Sequence, residues 1–172
     1  MVYNLLLLLL VIIFGSLAYA GISAAPWLPL WKKDVRRMLQ LAQVQPGETV
    51  YDLGAGDARI LIAAAQVFKA KAVGFECSLL PYFMGYINII LHGVTARVSL
   101  KYRNFFNQNL SHADVICTFL TPKAMEKLKS KLLDEAKPGC RIVSYAFALP
   151  GLEATTIDKP AEKITAIYLY QR

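Results

Sequence analysis

The sequence predicts an α/β fold: a mainly parallel sheet with helices on both faces, closed by a C-terminal hairpin and preceded by one helix able to cross a membrane. Three observations carry this expectation. Strand-length apolar runs alternate with helix-length amphipathic segments from about residue 34 onward, the pattern of a parallel sheet covered on both sides. The turn Gly54-Ala55-Gly56 falls where the first strand gives way to a helix. Every charged side chain lies beyond residue 31, so the net charge of +7 belongs wholly to the rest of the chain.

The length of 172 residues suits one domain, and the hydrophobic fraction of 56% excludes a disordered chain. The three cysteines, Cys77, Cys117 and Cys140, are too few and too scattered for a disulfide framework and agree with a reducing compartment. Leu5 to Ala25 is an unbroken uncharged run. At about 1.5 Å per residue it reaches roughly 31 Å as a helix, close to the hydrocarbon thickness of a bilayer. Pro26 and Pro29 end regular helix, Trp27 and Trp31 suit the interface, and Lys32, Lys33, Arg36 and Arg37 follow at once. Ala18-Tyr19-Ala20 has the small-x-small form of a signal-peptide cleavage site, but no basic residue precedes Leu5 and the apolar run continues past the cut. The reading is therefore a single-pass anchor over residues 1–31 and a catalytic domain over 32–172, on the cytoplasmic side or its organellar equivalent by the positive-inside rule.

The elements follow in order. Asp34 to Gln43 places Val35, Met38, Leu39 and Ala42 on one helical face, and Pro46-Gly47 ends it. Thr49 to Leu53 reads as a strand and Arg59 to Phe68 as a largely buried helix, half of a βαβ unit. Lys71 to Glu76 is the second strand, Pro81 to Leu91 a helix, Arg97 to Tyr102 the third strand and Asp114 to Leu120 the fourth. Pro122 to Glu135 is a Lys-rich amphipathic helix, followed by a fifth strand over Arg141 to Phe147. Ala154 to Ile157 and Ile164 to Tyr170, with no helix between them, form the closing hairpin of a seven-stranded sheet.

Such sheets bind ligands at the carboxyl ends of their strands. There, Asp52, Gly54, Ala55, Gly56 and Asp57 form a glycine turn ahead of a helix N-terminus, and Glu76 ends the next strand 22 residues after Gly54. An acid at about that distance accepts hydrogen bonds from a ribose. The two aspartates would repel a pyrophosphate but favour a cation, which selects S-adenosylmethionine, with its sulfonium and ammonium groups, over a dinucleotide. No P-loop Gly-Lys-Ser/Thr accompanies the turn. His92 and His112 lack metal-ligand partners at usable spacing, so no metal is expected. The Tyr102 to Phe106 region lacks the spread basic-aromatic stripe of a nucleic-acid site.

From Val35 to about Gly151 the chain resembles the seven-β-strand (class I) S-adenosylmethionine-dependent methyltransferases, whose sheet is Rossmann-like. Within them it is similar to the small membrane-anchored protein-lysine methyltransferases whose mitochondrial members modify the adenine nucleotide translocase and the ATP synthase c subunit. The resemblance rests on Met38 to Ala42 with Pro46-Gly47, the Asp52 to Arg59 loop, Gly74-Phe75-Glu76, Phe119-Leu120-Thr121-Pro122 and Lys137 to Ser144. It implies that Asp52, Gly54 and Gly56, with Ala55 and Asp57 in the same loop, hold the methionine end of the cofactor. It also implies that Glu76 takes the ribose, that Asn104 and Phe105 flank the adenine, and that Phe119, Leu120, Thr121 and Pro122 border the target-amine slot. Ala58 departs from the family's glycine. For a catalytic base, Thr121 and Tyr145 are the polar candidates at strand ends, neither an obvious proton acceptor at neutral pH; that assignment stays open.

The leading expectation is a membrane-tethered N-methyltransferase acting on a lysine of a membrane-associated protein. The alternatives are a small lipophilic substrate, or a tethered binding module without turnover. The membrane would be the plasma membrane in a bacterium and the mitochondrial inner membrane in a eukaryote.

Overall fold

The computed structural model describes residues 2–172. Its sheet consists of β1 (Thr49–Leu53), β2 (Lys71–Glu76), β3 (Val98–Tyr102), β4 (Val115–Thr118), β5 (Arg141–Tyr145), β6 (Thr156–Asp158) and β7 (Ile167–Gln171), in the spatial order β3-β2-β1-β4-β5-β7-β6. The first five strands are parallel, and β7 inserts antiparallel between β5 and β6. This is the expected seven-stranded Rossmann-like sheet with its closing hairpin. The strand order reverses beside β1, which places the crevice between the carboxyl ends of β1 and β4.

The helices are α1 (Val2–Ser23), α2 (Lys32–Leu41), α3 (Arg59–Gln66), α4 (Leu79–Leu91) and α5 (Pro122–Glu135). Met38 and Leu39 of α2, Leu61 and Ala64 of α3 and Ile89 of α4 share one apolar core with Val50 and Val115. Met125, Leu128 and Leu132 of α5 pack in the other core, with Leu53, Ile116 and Ile142. Alternate residues of β1 thus serve opposite layers, as the two-residue side-chain period of a strand requires.

Several boundaries moved for local reasons. α4 begins at Leu79, ahead of Pro81, because the first-turn N–H groups of a helix have no intrahelical partner and a proline there forfeits nothing. β4 ends at Thr118, so Phe119 and Leu120 leave the sheet at its carboxyl end. A short 3₁₀ turn, Phe105–Asn107, follows β3, capped by Asn104, whose side chain accepts from Phe106 N at 3.0 Å. Ion pairs tie the periphery together. Arg37 on α2 reaches both Asp34 and Asp158 of β6 at 2.8 Å, and Arg141 pairs with Glu48. Cys117 and Cys140 are buried thiols and Cys77 is half-buried.

Candidate active site

The site begins with the loop after β1. Gly54 (φ 91°), Gly56 (φ 51°) and Ala58 (φ 67°) are all left-handed, so the chain reverses tightly and delivers the N-terminus of α3 to the crevice. For the two glycines this conformation carries no side-chain penalty. Ala58 adopts the same conformation with its methyl fully buried.

Glu76 closes this loop from the neighbouring strand. Its Oε2 accepts from Gly56 N at 2.8 Å, and its Oε1 accepts from Cys77 N at 2.9 Å and Ser78 N at 2.7 Å. A carboxylate offers about four lone-pair positions, so roughly one remains for another donor. Glu76 therefore shapes the glycine loop as well as facing the cavity beside it. Asp57 pairs with Arg59 at the start of α3. Asp52 is 3% exposed and belongs to none of the ion pairs among the described residues. Burial, with the nearby charges of Glu76 and Asp57, pushes its carboxyl up to about 8.

The cavity at the carboxyl ends of the strands brings together Asp52, Gly54, Ala55, Gly56, Asp57, Glu76, Phe105, Phe119 and Leu120. Four other sequence-predicted residues stand outside its lining. Asn104 caps the 3₁₀ turn and donates to the Tyr19 hydroxyl at 3.1 Å. Thr121 caps α5 and donates through Oγ1 to Ala24 O at 2.6 Å, with Pro122 beginning the helix behind it. Tyr145 packs edge-on against Phe119, and its hydroxyl lies 3.2 Å from Asp34 Oδ2, where burial raises its pKa.

Sequence reasoning missed the opposite wall. Ala20, Ala24, Ala25 and the segment Pro26 to Leu30 line the same cavity, and Arg59 donates to Leu30 O. Trp27, read from sequence as an interfacial anchor, lies directly over the glycine turn: a Cβ placed on Gly56 would come 2.8 Å from its Nε1. The signal was Pro26-Trp27-Leu28-Pro29, whose two prolines fix an extended segment, but nothing local indicates which surface such a segment crosses.

A cavity edged by three carboxylates, two of them without a cationic partner among the described residues, with a glycine turn open to backbone approach, fits a ligand that is cationic at one end and a nucleoside at the other. S-adenosylmethionine meets that description, and the fold and site together define a methyltransferase of the seven-strand class.

Comparison with known proteins agrees. Residues 52–156 match the family described as the ANTKMT methyltransferase domain. The chain is 41% identical over 148 residues to a protein-lysine N-methyltransferase of Saccharolobus islandicus (strain REY15A), covering 84% of this chain and 92% of that protein. It is 33% identical over 136 residues to the adenine nucleotide translocase lysine N-methyltransferase of Mus musculus, covering 77% of this chain and 54% of the longer mouse protein. An RNA methyltransferase from Salinibacter ruber, solved with S-adenosyl-L-homocysteine, superposes with a TM-score of 0.81 at 30% identity, over 84% of this chain and 93% of that one. The chain belongs to the ANTKMT methyltransferase domain family and is an S-adenosylmethionine-dependent methyltransferase.

Proposed function

We propose that this enzyme methylates a lysine side chain of a membrane-associated protein, anchored by α1 with residues 32–172 on the cytoplasmic or matrix-equivalent side. The observation that carries this reading is the position of the cavity at the foot of a helix long and apolar enough to cross a membrane. Val2–Ser23 is such a helix, with a mean hydropathy of 2.7, and Ala20 at its end lines the cavity. The similarity to lysine methyltransferases of archaeal and mouse origin supports the acceptor class.

In this reading Asp52, Gly54, Ala55, Gly56 and Asp57 hold the aminoacyl end of the cofactor, Glu76 the ribose, and Asn104 and Phe105 flank the adenine. Phe119, Leu120, Thr121 and Pro122 border the entry of the acceptor. The bound cofactor supplies an activated methyl group as a sulfonium. A neutral lysine amine at the acceptor side would take that methyl group, its N–C bond forming as the C–S bond breaks, and its proton would pass to solvent. This chain supplies positioning and the electrostatic setting; no side chain is assigned as base. Confinement to the membrane would contribute to the choice of acceptor, with effective concentrations on the order of millimolar for a short tether.

The test is incubation of the full chain, in vesicles, with isotopically labelled S-adenosylmethionine and three acceptor pools: membrane proteins, total RNA and lipid extract. Label on a lysine of a membrane protein, read by mass spectrometry, is the expected result. Label confined to RNA or lipid would overturn it, as would cofactor binding with no transfer to any pool.

A further inference from the structure

A second apolar surface lies beside the anchor. α4 has no charged residue along its 13 positions. Its inner stripe, Pro81, Gly85 and Ile89, is buried. On the opposite side stand Leu80, Phe83, Met84, Ile87, Ile90 and Leu91, all exposed, from 37% at Met84 to 76% at Leu91. At about 100° per residue these six fall within an arc of roughly 120°, a continuous stripe where a helix facing water would carry its charges. A contiguous apolar patch of this kind marks a contact surface.

The surroundings of the stripe identify what it meets. α1 packs against α4, and Ser16 Oγ accepts from Leu79 N at 3.1 Å. Ile13, Ser16, Leu17, Ala20, Gly21 and Ser23 are the positions at which α1 loses exposure, so its second half runs alongside the domain. The outer side of that half, Phe14 and Ile22, remains exposed and apolar. A bilayer that holds α1 along its whole length therefore reaches the domain surface next to it, and that surface is α4. The linker adds exposed Leu28 and Trp31, followed at once by Lys32 and Lys33, a pairing suited to an interface with anionic headgroups.

We propose that the outer stripe of α4 is a second membrane-contact surface, embedded in the interfacial layer of the bilayer that α1 enters. The catalytic domain then lies on the membrane instead of hanging from a free tether. This rests on the reading of α1 as an anchor. Its consequence is selectivity by depth. Cys77 and Ser78, immediately before α4, line the cavity, so acceptor lysines are limited to those presented near the headgroup plane.

The experiment uses the full chain in vesicles of phosphatidylcholine and phosphatidylglycerol, with Cys77→Ser and a single NBD-labelled cysteine introduced at Leu8 (α1), Ile90 (α4) or Glu126 (α5). Nitroxide on the lipid acyl chains should quench the probes at Leu8 and Ile90 at least twofold and leave that at Glu126 unchanged. Quenching at Leu8 with Ile90 behaving like Glu126 overturns the proposal while the anchor stands; no quenching at either overturns both. Protection of Ile90 from nitroxide and from aqueous iodide alike would mean that protein covers the stripe, a second copy or an acceptor, and also overturns it. Ile87→Glu combined with Leu91→Glu replaces exposed side chains. It should leave thermal stability in detergent and Leu8 quenching unchanged while abolishing quenching at Ile90.

Discussion

Replacing Glu76 separates its two tasks. Glu76→Ala removes the acceptor of three backbone N–H groups, at 2.8, 2.9 and 2.7 Å. Gly56 and Ser78 are buried, so two of those donors lose access to water, while Cys77 is half-buried and can recruit it. A stranded buried donor costs about 1–3 kcal/mol, giving roughly 2–6 kcal/mol for the pair. Asp52, with its carboxyl pushed up to about 8, is mostly neutral at pH 7, so relief of repulsion from Glu76 offsets little of this. We expect a loss of about 3 kcal/mol, against a total of about 5–15 kcal/mol for a domain, so the variant folds but is weakened. Urea titration in detergent should show a lower midpoint with an unchanged slope. Glu76→Gln keeps one acceptor oxygen and should cost about half as much. Both variants should bind S-adenosylmethionine at least tenfold more weakly by calorimetry, because a charged hydrogen bond to the ribose contributes about 1.5–3 kcal/mol. If Glu76→Gln binds like wild type at temperatures where it is fully folded, the ribose role is refuted and Glu76 only holds the loop.

Asp52, with its carboxyl pushed up to about 8, is protonated at neutral pH, and a cationic ligand favours the carboxylate. Cofactor binding should therefore release a proton, and affinity should rise by up to about tenfold per pH unit between pH 6 and 7.5. Asp52→Asn should flatten that profile, and calorimetry in buffers of different ionisation enthalpy would count the proton. Without cofactor the same raised pKa makes the Asp52 contribution to stability fully present near pH 4 and lost as pH rises through 8, a trend thermal melts should show and Asp52→Asn should remove. Ala58→Gly exchanges a left-handed penalty of about 1–2 kcal/mol for a lost buried methyl of about 0.8 kcal/mol and a more flexible unfolded chain. Its urea midpoint should correspond to wild type within about 1 kcal/mol, whereas Ala58→Val should lose more than about 2 kcal/mol. Trp27→Ala removes the indole above Gly56 and should speed both association and dissociation of the cofactor in stopped-flow fluorescence; unchanged rates would place Trp27 outside the binding path.

The parts of this fold legible in the sequence are those set by local periodicity and turn chemistry. Thr49–Leu53, Lys71–Glu76 and Pro122–Glu135 have the same bounds in sequence and structure, because a turn residue or helix cap flanks each apolar run. Asp52, the glycine turn and Glu76 were legible as a group because a parallel sheet fixes where strand ends meet. Thr121 and Tyr145 show the limit. Tyr145 ends β5 and Thr121 lies three residues beyond β4, near where a catalytic group would stand, yet their hydroxyls meet Asp34 and Ala24, partners 111 and 97 residues away that no local pattern announces. The segment Pro26 to Leu30 shows it again, since an extended apolar run reads identically whether it crosses lipid or a cofactor cavity.

That segment also ties the anchor to the chemistry. A tether can be exchanged for another of equal length only if it makes no contact with what it holds. Here Ala24 O receives hydrogen bonds from both the side chain and the backbone of Thr121, at 2.6 and 3.3 Å, Leu30 O receives one from Arg59, and Trp27 covers Gly56. Each of these links joins the linker to a cap or loop that shapes the cavity: Thr121 begins α5, Arg59 begins α3, and Gly56 is held by Glu76. In the proposed reading a pull on α1, or a change in its depth, therefore acts on the walls of the cavity itself. If α1 enters a membrane and this cavity holds the cofactor, as proposed, attachment and binding share the same seven residues, Ala24 to Leu30, and the free energy of one should appear in the other by linkage.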